Sequence, residues 1–176
     1  MSKVYFISDL HLGHDCGQTW AKDFREGDTV AETDQWMIDQ WNRVVRKRDT
    51  VYVCGDVCFD LKSLPLMDKM YGQKKLILGN HDIFPLAEYQ KYFTQVLAYA
   101  RYKKHWISHM PLDPYDILDG RVEGNIHGHL HQNNTDKWYH YNACVEQCHG
   151  VPVNFEHIRD NIQIRKQMEE ERQNDT

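Results

Sequence analysis

The sequence predicts an α/β domain in which at least part of the sheet is parallel. Short apolar runs rich in β-formers recur along it, helix-period segments separate the early ones, and polar residues able to hold a metal follow each run. Strands that alternate with helices pair in parallel, because a crossover connection is what returns the chain to the same end of the sheet. The 176 residues suffice for one domain that buries roughly 70% of its unfolded surface.

Val4-Tyr5-Phe6-Ile7 opens the pattern, and Val51-Tyr52-Val53, Leu76-Ile77-Leu78 and Trp106-Ile107 continue it. The first three are nearly continuous, as strands covered on both faces are. Between the first two, Thr29-Val30-Ala31-Glu32 reads as a capping box, after which Met37, Trp41, Val44 and Val45 fall on one helical face. Arg46-Lys47-Arg48 complements the C-terminal dipole of that helix. A second helix is expected over 63–71, closed by Gly72, and a third with Pro85 in its first turn and Leu86, Tyr89 and Phe93 on its face. The stretch 138–153 reads as strands with short turns. From Phe155, the residues Ile158, Ile162 and Ile164 mark a last helix, so the domain is expected over 1–166 with a frayed tail over 167–176. No repeat or linker divides the chain.

Composition narrows the function. With 41% hydrophobic and 27% charged residues the chain is globular rather than disordered. Twenty-one Lys and Arg against 26 Asp and Glu leave a net charge of -5, which gives no bulk pull toward nucleic acid or an anionic membrane. No apolar run spans a bilayer and Met1-Ser2-Lys3 leads straight into a strand, so a cytoplasmic location is expected. Cys16, Cys54, Cys58, Cys144 and Cys148 are odd in number and are read as reduced, buried hydrophobes; a zinc site of the four thiolates in Cys54/Cys58 and Cys144/Cys148 is the less favoured alternative.

The chemistry sits after the strands. Asp9-Leu10-His11 follows the first run, Gly55-Asp56 the second, Gly79-Asn80-His81-Asp82 the third, Ser108-His109 the fourth, and Gly128-His129-Leu130-His131 follows Asn125-Ile126-His127. Ligands of open α/β sheets collect beyond the carboxyl ends of the strands, so these segments can meet. Together they offer two aspartates, an asparagine and three to five imidazoles, whose lone pairs are costly to crowd without a cation. A nitrogen and oxygen set suits Mn, Fe, Co, Ni or Zn. Seven donors exceed one tetrahedral ion and suit two divalent ions about 3.5–4 Å apart that share a carboxylate and activate water, which points to hydrolysis at phosphorus. No Walker loop or G-x-S-x-G elbow offers covalent chemistry instead.

These five blocks, in this order, resemble the metallophosphoesterase, or calcineurin-like phosphoesterase, superfamily. The stretches Ser8-Asp9-Leu10-His11-Leu12-Gly13-His14, Asp49-Thr50-Val51-Tyr52-Val53-Cys54-Gly55-Asp56, Asn125-Ile126-His127-Gly128-His129-Leu130-His131 and Pro152-Val153-Asn154-Phe155-Glu156 are similar to its small single-domain branch of bacteria and phages. The resemblance implies a four-layer α/β/β/α sandwich of mixed sheets. It implies that Asp9, His11 and His131 bind one divalent ion, that Asn80, His109 and His129 bind the other, and that Asp56 bridges them. Manganese leads the expected metals, with Fe, Ni, Co or Zn behind. His81 is implied as the non-ligand catalytic histidine over the phosphate, with Asp82 orienting its ring. The departure from the pattern follows Gly55-Asp56, where Val57-Cys58-Phe59 intervenes before the acidic Asp60.

The expected activity is hydrolysis of a phosphodiester or phosphomonoester by a metal-bridging hydroxide, on a small phosphate-ester or nucleotide substrate and with no membrane partner. A nuclease acting on DNA or RNA ends is the alternative within the enzyme class, and a non-catalytic scaffold the alternative outside it. His14 is weighed as a phosphate contact against a plain loop histidine, and His127 as a support for the site against a structural histidine. Trp20, Trp36, Trp41, Trp106 and Trp138 are weighed as stacking platforms, with core packing the simpler account of Trp41 and Trp106. Arg101, Lys103, Lys104 and Arg121 are read as solvated surface. Specificity is expected in the loops 12–28 and 110–123.

Overall fold

The computed structural model describes residues 2–113 and 120–174; the middle of the 110–123 loop lies outside the described residues. In chain order the strands are β1 (Val4–Ile7), β2 (Thr50–Val53), β3 (Gln73–Ile77), β4 (Gln95–Leu97), β5 (Ala100–Tyr102), β6 (His105–Ile107), β7 (Gly124–His127), β8 (His140–Asn142) and β9 (Val153–Asn154). They form two mixed sheets, ordered β4-β3-β2-β1-β9 and β5-β6-β7-β8. The first is parallel from β1 to β4 with β9 antiparallel beside β1; the second is parallel from β6 to β8 with β5 antiparallel at its edge. The α-helices are α1 (Val30–Val44), α2 (Leu86–Tyr89), α3 (Val145–Cys148) and α4 (Phe155–Asn174).

The near-continuous apolar runs are explained by two cores. Tyr5, Ile7, Val51, Val53 and Leu76 enter one cluster with Met37, Ile38 and Trp41 of α1. The alternate residues Phe6, Tyr52 and Ile77 enter a second with Ile107, Ile126 and the α4 residues Phe155, Ile158 and Ile162. Side chains of a strand alternate between faces, so a strand with a core on each side has no polar position to spare. Phe6 and Tyr52 stack at 5.2 Å between ring centroids within the second cluster.

The capping box forms as expected, with Thr29 and Glu32 each accepting from the other's backbone amide. Trp41 Nε1 donates to the Tyr71 carbonyl at 2.9 Å, which lets the indole be fully buried. Three local expectations need correction. The 63–71 segment is a 3-10 helix over Leu64–Lys69, with Pro65 in its first turn. The third helix is a single turn; Phe93 lies beyond it yet is buried beside Tyr89, while Leu86 faces solvent. Within 138–153, Val145–Cys148 is helical rather than extended, closed by His149 in the left-handed region at φ 50°. In α4, Ile158 and Ile162 are buried but Ile164 is exposed, and the helix is regular through Asn174.

The parallel strands bring their carboxyl ends to one edge, and there the two sheets are stitched together. Ser8 N donates to the Ala143 carbonyl at 2.8 Å and Val145 N to the Ser8 carbonyl at 3.1 Å, while within the first sheet Asp9 N donates to the Gly55 carbonyl at 3.0 Å. Ser8 and Cys144 form a parallel bridge across the gap between the sheets. Among the described residues no helix is long and apolar enough to cross a membrane.

Candidate metal centre

Backbone strain marks the centre. Asp9, His11, Asp56, His129 and His131 all adopt positive φ, between 50° and 70°. For residues other than glycine this region costs on the order of 1 kcal/mol each and persists only where the surroundings impose it. The sharp turn aims Asp9 and His11 at the centre while Leu10 between them stays in the core. Two glycines admit the close approach of these loops: a Cβ on Gly79 would lie 2.1 Å from Asp56 Oδ1, and one on Gly128 would lie 1.8 Å from Ser8 Oγ.

Two groups of donor atoms meet at one carboxylate oxygen. Asp56 Oδ2 lies 3.8 Å from His11 Nε2 and 3.4 Å from His109 Nε2. On the first side, Asp9 Oδ1 lies 3.6 Å from His11 Nε2 and 3.7 Å from His131 Nε2. On the second, His109 Nε2 lies 2.8 Å from Asn80 Oδ1, and the His129 ring stands 5.0 Å from that of His109. All seven candidate ligands predicted from sequence are thus brought to one edge.

The donor set fits divalent ions. Asp9 Oδ1 and both ring nitrogens of His11 are buried without a hydrogen-bond partner, a costly condition that a bound cation relieves. His109 Nδ1 lies 2.8 Å from the Cys54 carbonyl and must be the donor there. Its Nε2 then presents a lone pair to the Asn80 carbonyl oxygen, an opposition that a shared cation removes. Burial alone would raise the Asp9 carboxyl; the facing His11 ring, with His109, Ser8 and His131, outweighs it and holds the group well below the usual carboxylate range.

A buried ion pair behind the ligands was not legible in the sequence. Arg25 donates through Nε and Nη2 to Glu146 Oε1 at 2.9 and 2.6 Å, and also to the Leu10 and Asp9 carbonyls at 2.6 and 2.7 Å. Glu146 Oε2 lies 3.2 Å from His131 Nδ1. Burial works against charge on His131, but the Glu146 hydrogen bond and the Asp9 carboxylate raise its pKa on balance. The carboxylate therefore fixes the tautomer that leaves Nε2 facing the centre. Cys144 donates its thiol to Asp9 Oδ2 at 3.1 Å, and burial beside Asp9 keeps that thiol protonated. Replacing Arg25 by methionine leaves Glu146 charged and buried with only the His131 ring beside it. We expect it to destabilise the fold by about 3–5 kcal/mol, read as a lowered urea midpoint in chelator-treated protein.

Asp82 requires a correction. Its carboxylate accepts from the amides of Asp56 and Gly79, both at 2.8 Å, and of Val57 at 3.0 Å. It ties the Asp56 loop to the Gly79 turn instead of orienting the His81 ring, because the tight turn sends adjacent side chains opposite ways. His81 is exposed, its amide donates to Asp56 Oδ1 at 2.9 Å, and it lines the same cavity as His11 and His131. Asp60 accepts from the Ser63 amide through Oδ1 at 2.7 Å, which makes it a turn residue.

His14 packs on Phe59 at the rim, with ring centroids 4.3 Å apart. His127 is buried behind the centre with Nδ1 2.8 Å from the Gly128 carbonyl, and burial pushes its pKa down to about 4. The cysteines are unpaired, and among the described residues no candidate metal cluster holds more than one thiol. Lys103 and Lys104 pair with Glu156 and Glu123 on the surface. Trp41 is in the core, whereas Trp20 lies against His131 with ring centroids 4.5 Å apart.

Two mixed sheets flanked by helices, carrying an aspartate and histidine cluster where their strands end, define an α/β protein with a candidate metal centre. The family model for calcineurin-like phosphoesterases matches residues 2–167, and the chain belongs to that family of metal-dependent phosphoesterases. An uncharacterized protein of Methanocaldococcus jannaschii is 33% identical over 170 residues, 90% of each chain. The Gene 66 protein of Mycobacterium phage L5 is 37% identical over 87 residues, 47% of this chain and 41% of its own. The crystal structure of a protein of unknown function from Aquifex aeolicus shares the fold, with a TM-score of 0.74 at 23% identity, covering 91% of this chain and 99% of that one.

Proposed function

We propose that this chain hydrolyses small phosphate esters, diesters or monoesters, with two divalent ions. Asp9, His11 and His131 hold one ion, Asn80, His109 and His129 hold the other, and Asp56 joins the two sets. The observation that carries the reading is the placement of Asp56 Oδ2 within 3.4 Å of His109 Nε2 and 3.8 Å of His11 Nε2. The mixed nitrogen and oxygen donors suit Mn, Fe, Co, Ni or Zn, and manganese is the metal we favour.

When bound, such a pair supplies Lewis acidity and lowers the pKa of its water toward neutrality. The chain's own residues then divide the remaining work. Arg25 and Glu146 hold His131 in register, and Asp82 holds the Asp56 loop against the Gly79 turn. His81 borders the cavity, and as the bond from phosphorus to the departing oxygen breaks, its ring is placed to pass a proton to that oxygen. The unpaired cysteines support a reducing, cytoplasmic setting.

The test strips the protein with a chelator and reloads it with Mn, Co or Ni. Two ions per chain by elemental analysis, together with cleavage of a chromogenic phosphodiester or phosphomonoester, is the expected result. Fewer than one ion per chain and no turnover with any metal would overturn the reading in favour of a scaffold. A cavity of about 580 Å³ over the centre and the net charge of -5 favour a small ester over an extended nucleic-acid track.

A further inference from the structure

Two aromatic side chains at the mouth of the centre are left exposed. Trp20 is 43% exposed and Phe59 39% exposed. Neither is a stray surface residue, because both line the cavity that contains His11, His81 and His131. Trp20 lies with its ring centroid 4.5 Å from that of His131 and 6.1 Å from that of His11. Phe59 lies 4.4 Å from the His81 ring, 5.0 Å from His11 and 4.3 Å from His14. The His11 ring thus has an aromatic neighbour toward His131 and another toward His81.

We infer that Trp20 and Phe59 form the aromatic walls of a subsite for a nucleobase, so that the substrate is a nucleotide-sized phosphate ester. This rests on the phosphoesterase reading above. A phosphate at the centre puts the group it carries within reach of both rings. Exposed Gln132 and Asn133 line the same cavity and carry the donor and acceptor amides that the polar edge of a base needs. An alkyl chain would meet imidazoles and amides where it needs an unbroken apolar lining, whereas a base offers a flat face for stacking and a polar edge for the amides. The depression over the centre, about 580 Å³ and open to solvent, has the volume of a small-ligand site.

The experiment compares adenosine 5′-monophosphate with ribose 5-phosphate, which carries the same sugar and phosphate without the base. Dissociation constants are measured by calorimetry on manganese-loaded protein carrying His81→Ala, which keeps its ions but turns esters over slowly, so that binding is read apart from turnover. Stacking of one base predicts that adenosine 5′-monophosphate binds about 10- to 100-fold more tightly. In Trp20→Ala and Phe59→Ala the ratio of the two constants should fall toward one, and in Trp20→Phe and Phe59→Tyr most of it should return. The ratio cancels any general change in phosphate affinity caused by disturbing His11 or His131. Equal binding of the two ligands by the parent protein, or a ratio that survives both alanine variants, overturns the nucleobase subsite and leaves the phosphoesterase reading intact. Binding of neither ligand likewise overturns the nucleobase subsite, while the phosphoesterase reading stands or falls on the ion count and ester cleavage described above.

Discussion

His81→Ala should lower turnover of a phosphate ester by roughly 10²- to 10⁴-fold, the usual contribution of a positioned proton donor, while two ions per chain remain. The reasoning rests on how His81 is held. Its backbone amide anchors on Asp56 Oδ1 at 2.9 Å, yet its exposed ring borders the cavity beside Phe59 and His11. Removing the ring leaves the backbone anchor and the ligand set in place. The loss should shrink for esters of acidic alcohols, whose leaving oxygen needs no proton, and be largest for alkyl esters. A variant that loses metal along with activity, or that treats all leaving groups alike, would contradict the proton-donor role.

Asp56→Asn should cost more. The amide keeps the size of the side chain and can still accept from the His81 amide, but it lacks the charge between His11 and His109. We expect at most one tightly held ion per chain and a fall in turnover of at least about 10³-fold, equivalent to several kcal/mol of lost charge stabilisation. Stability should respond differently. In the metal-free parent, Asp56 is buried among other donors and held at φ 56°, so the metal-free variant should melt no lower than the metal-free parent. Added manganese should then raise the melting temperature of the parent much more than that of the variant. Equal metal-dependent stabilisation of the two proteins would rule out the shared position of Asp56.

Much of the centre was legible because each block is local. A strand, a turn and a donor lie within a few residues, and the rule that ligands collect beyond strand ends supplied the convergence. The capping box at Thr29 and Glu32 was legible for the same reason. Asp82 misled because adjacency in sequence to His81 says nothing about where a tight turn sends the side chain; it reaches back to three amides of the Asp56 and Gly79 segments. Arg25 and Glu146 are 121 residues apart, and no spacing rule joins them. The one available signal was an acidic residue in a short helix next to a strand end, and in sequence Val145-Glu146-Gln147-Cys148 reads equally as strand or turn. Trp20 and Phe59 carry no mark that separates them from the tryptophans of the core.

The order of chemical types along the chain was therefore decided by the sequence alone: which residues are candidate donors, that these candidates offer nitrogen and oxygen, and that each follows a buried strand. Local periodicity and turn chemistry carry that information within a few residues. Which carboxylate oxygen stands between the two halves, which buried pair steadies His131 and which aromatic rings face the cavity were decided by tertiary structure. Those relations depend on distances between segments remote in sequence, set where the Ser8–Cys144 bridge ties the end of β1 to the end of β8.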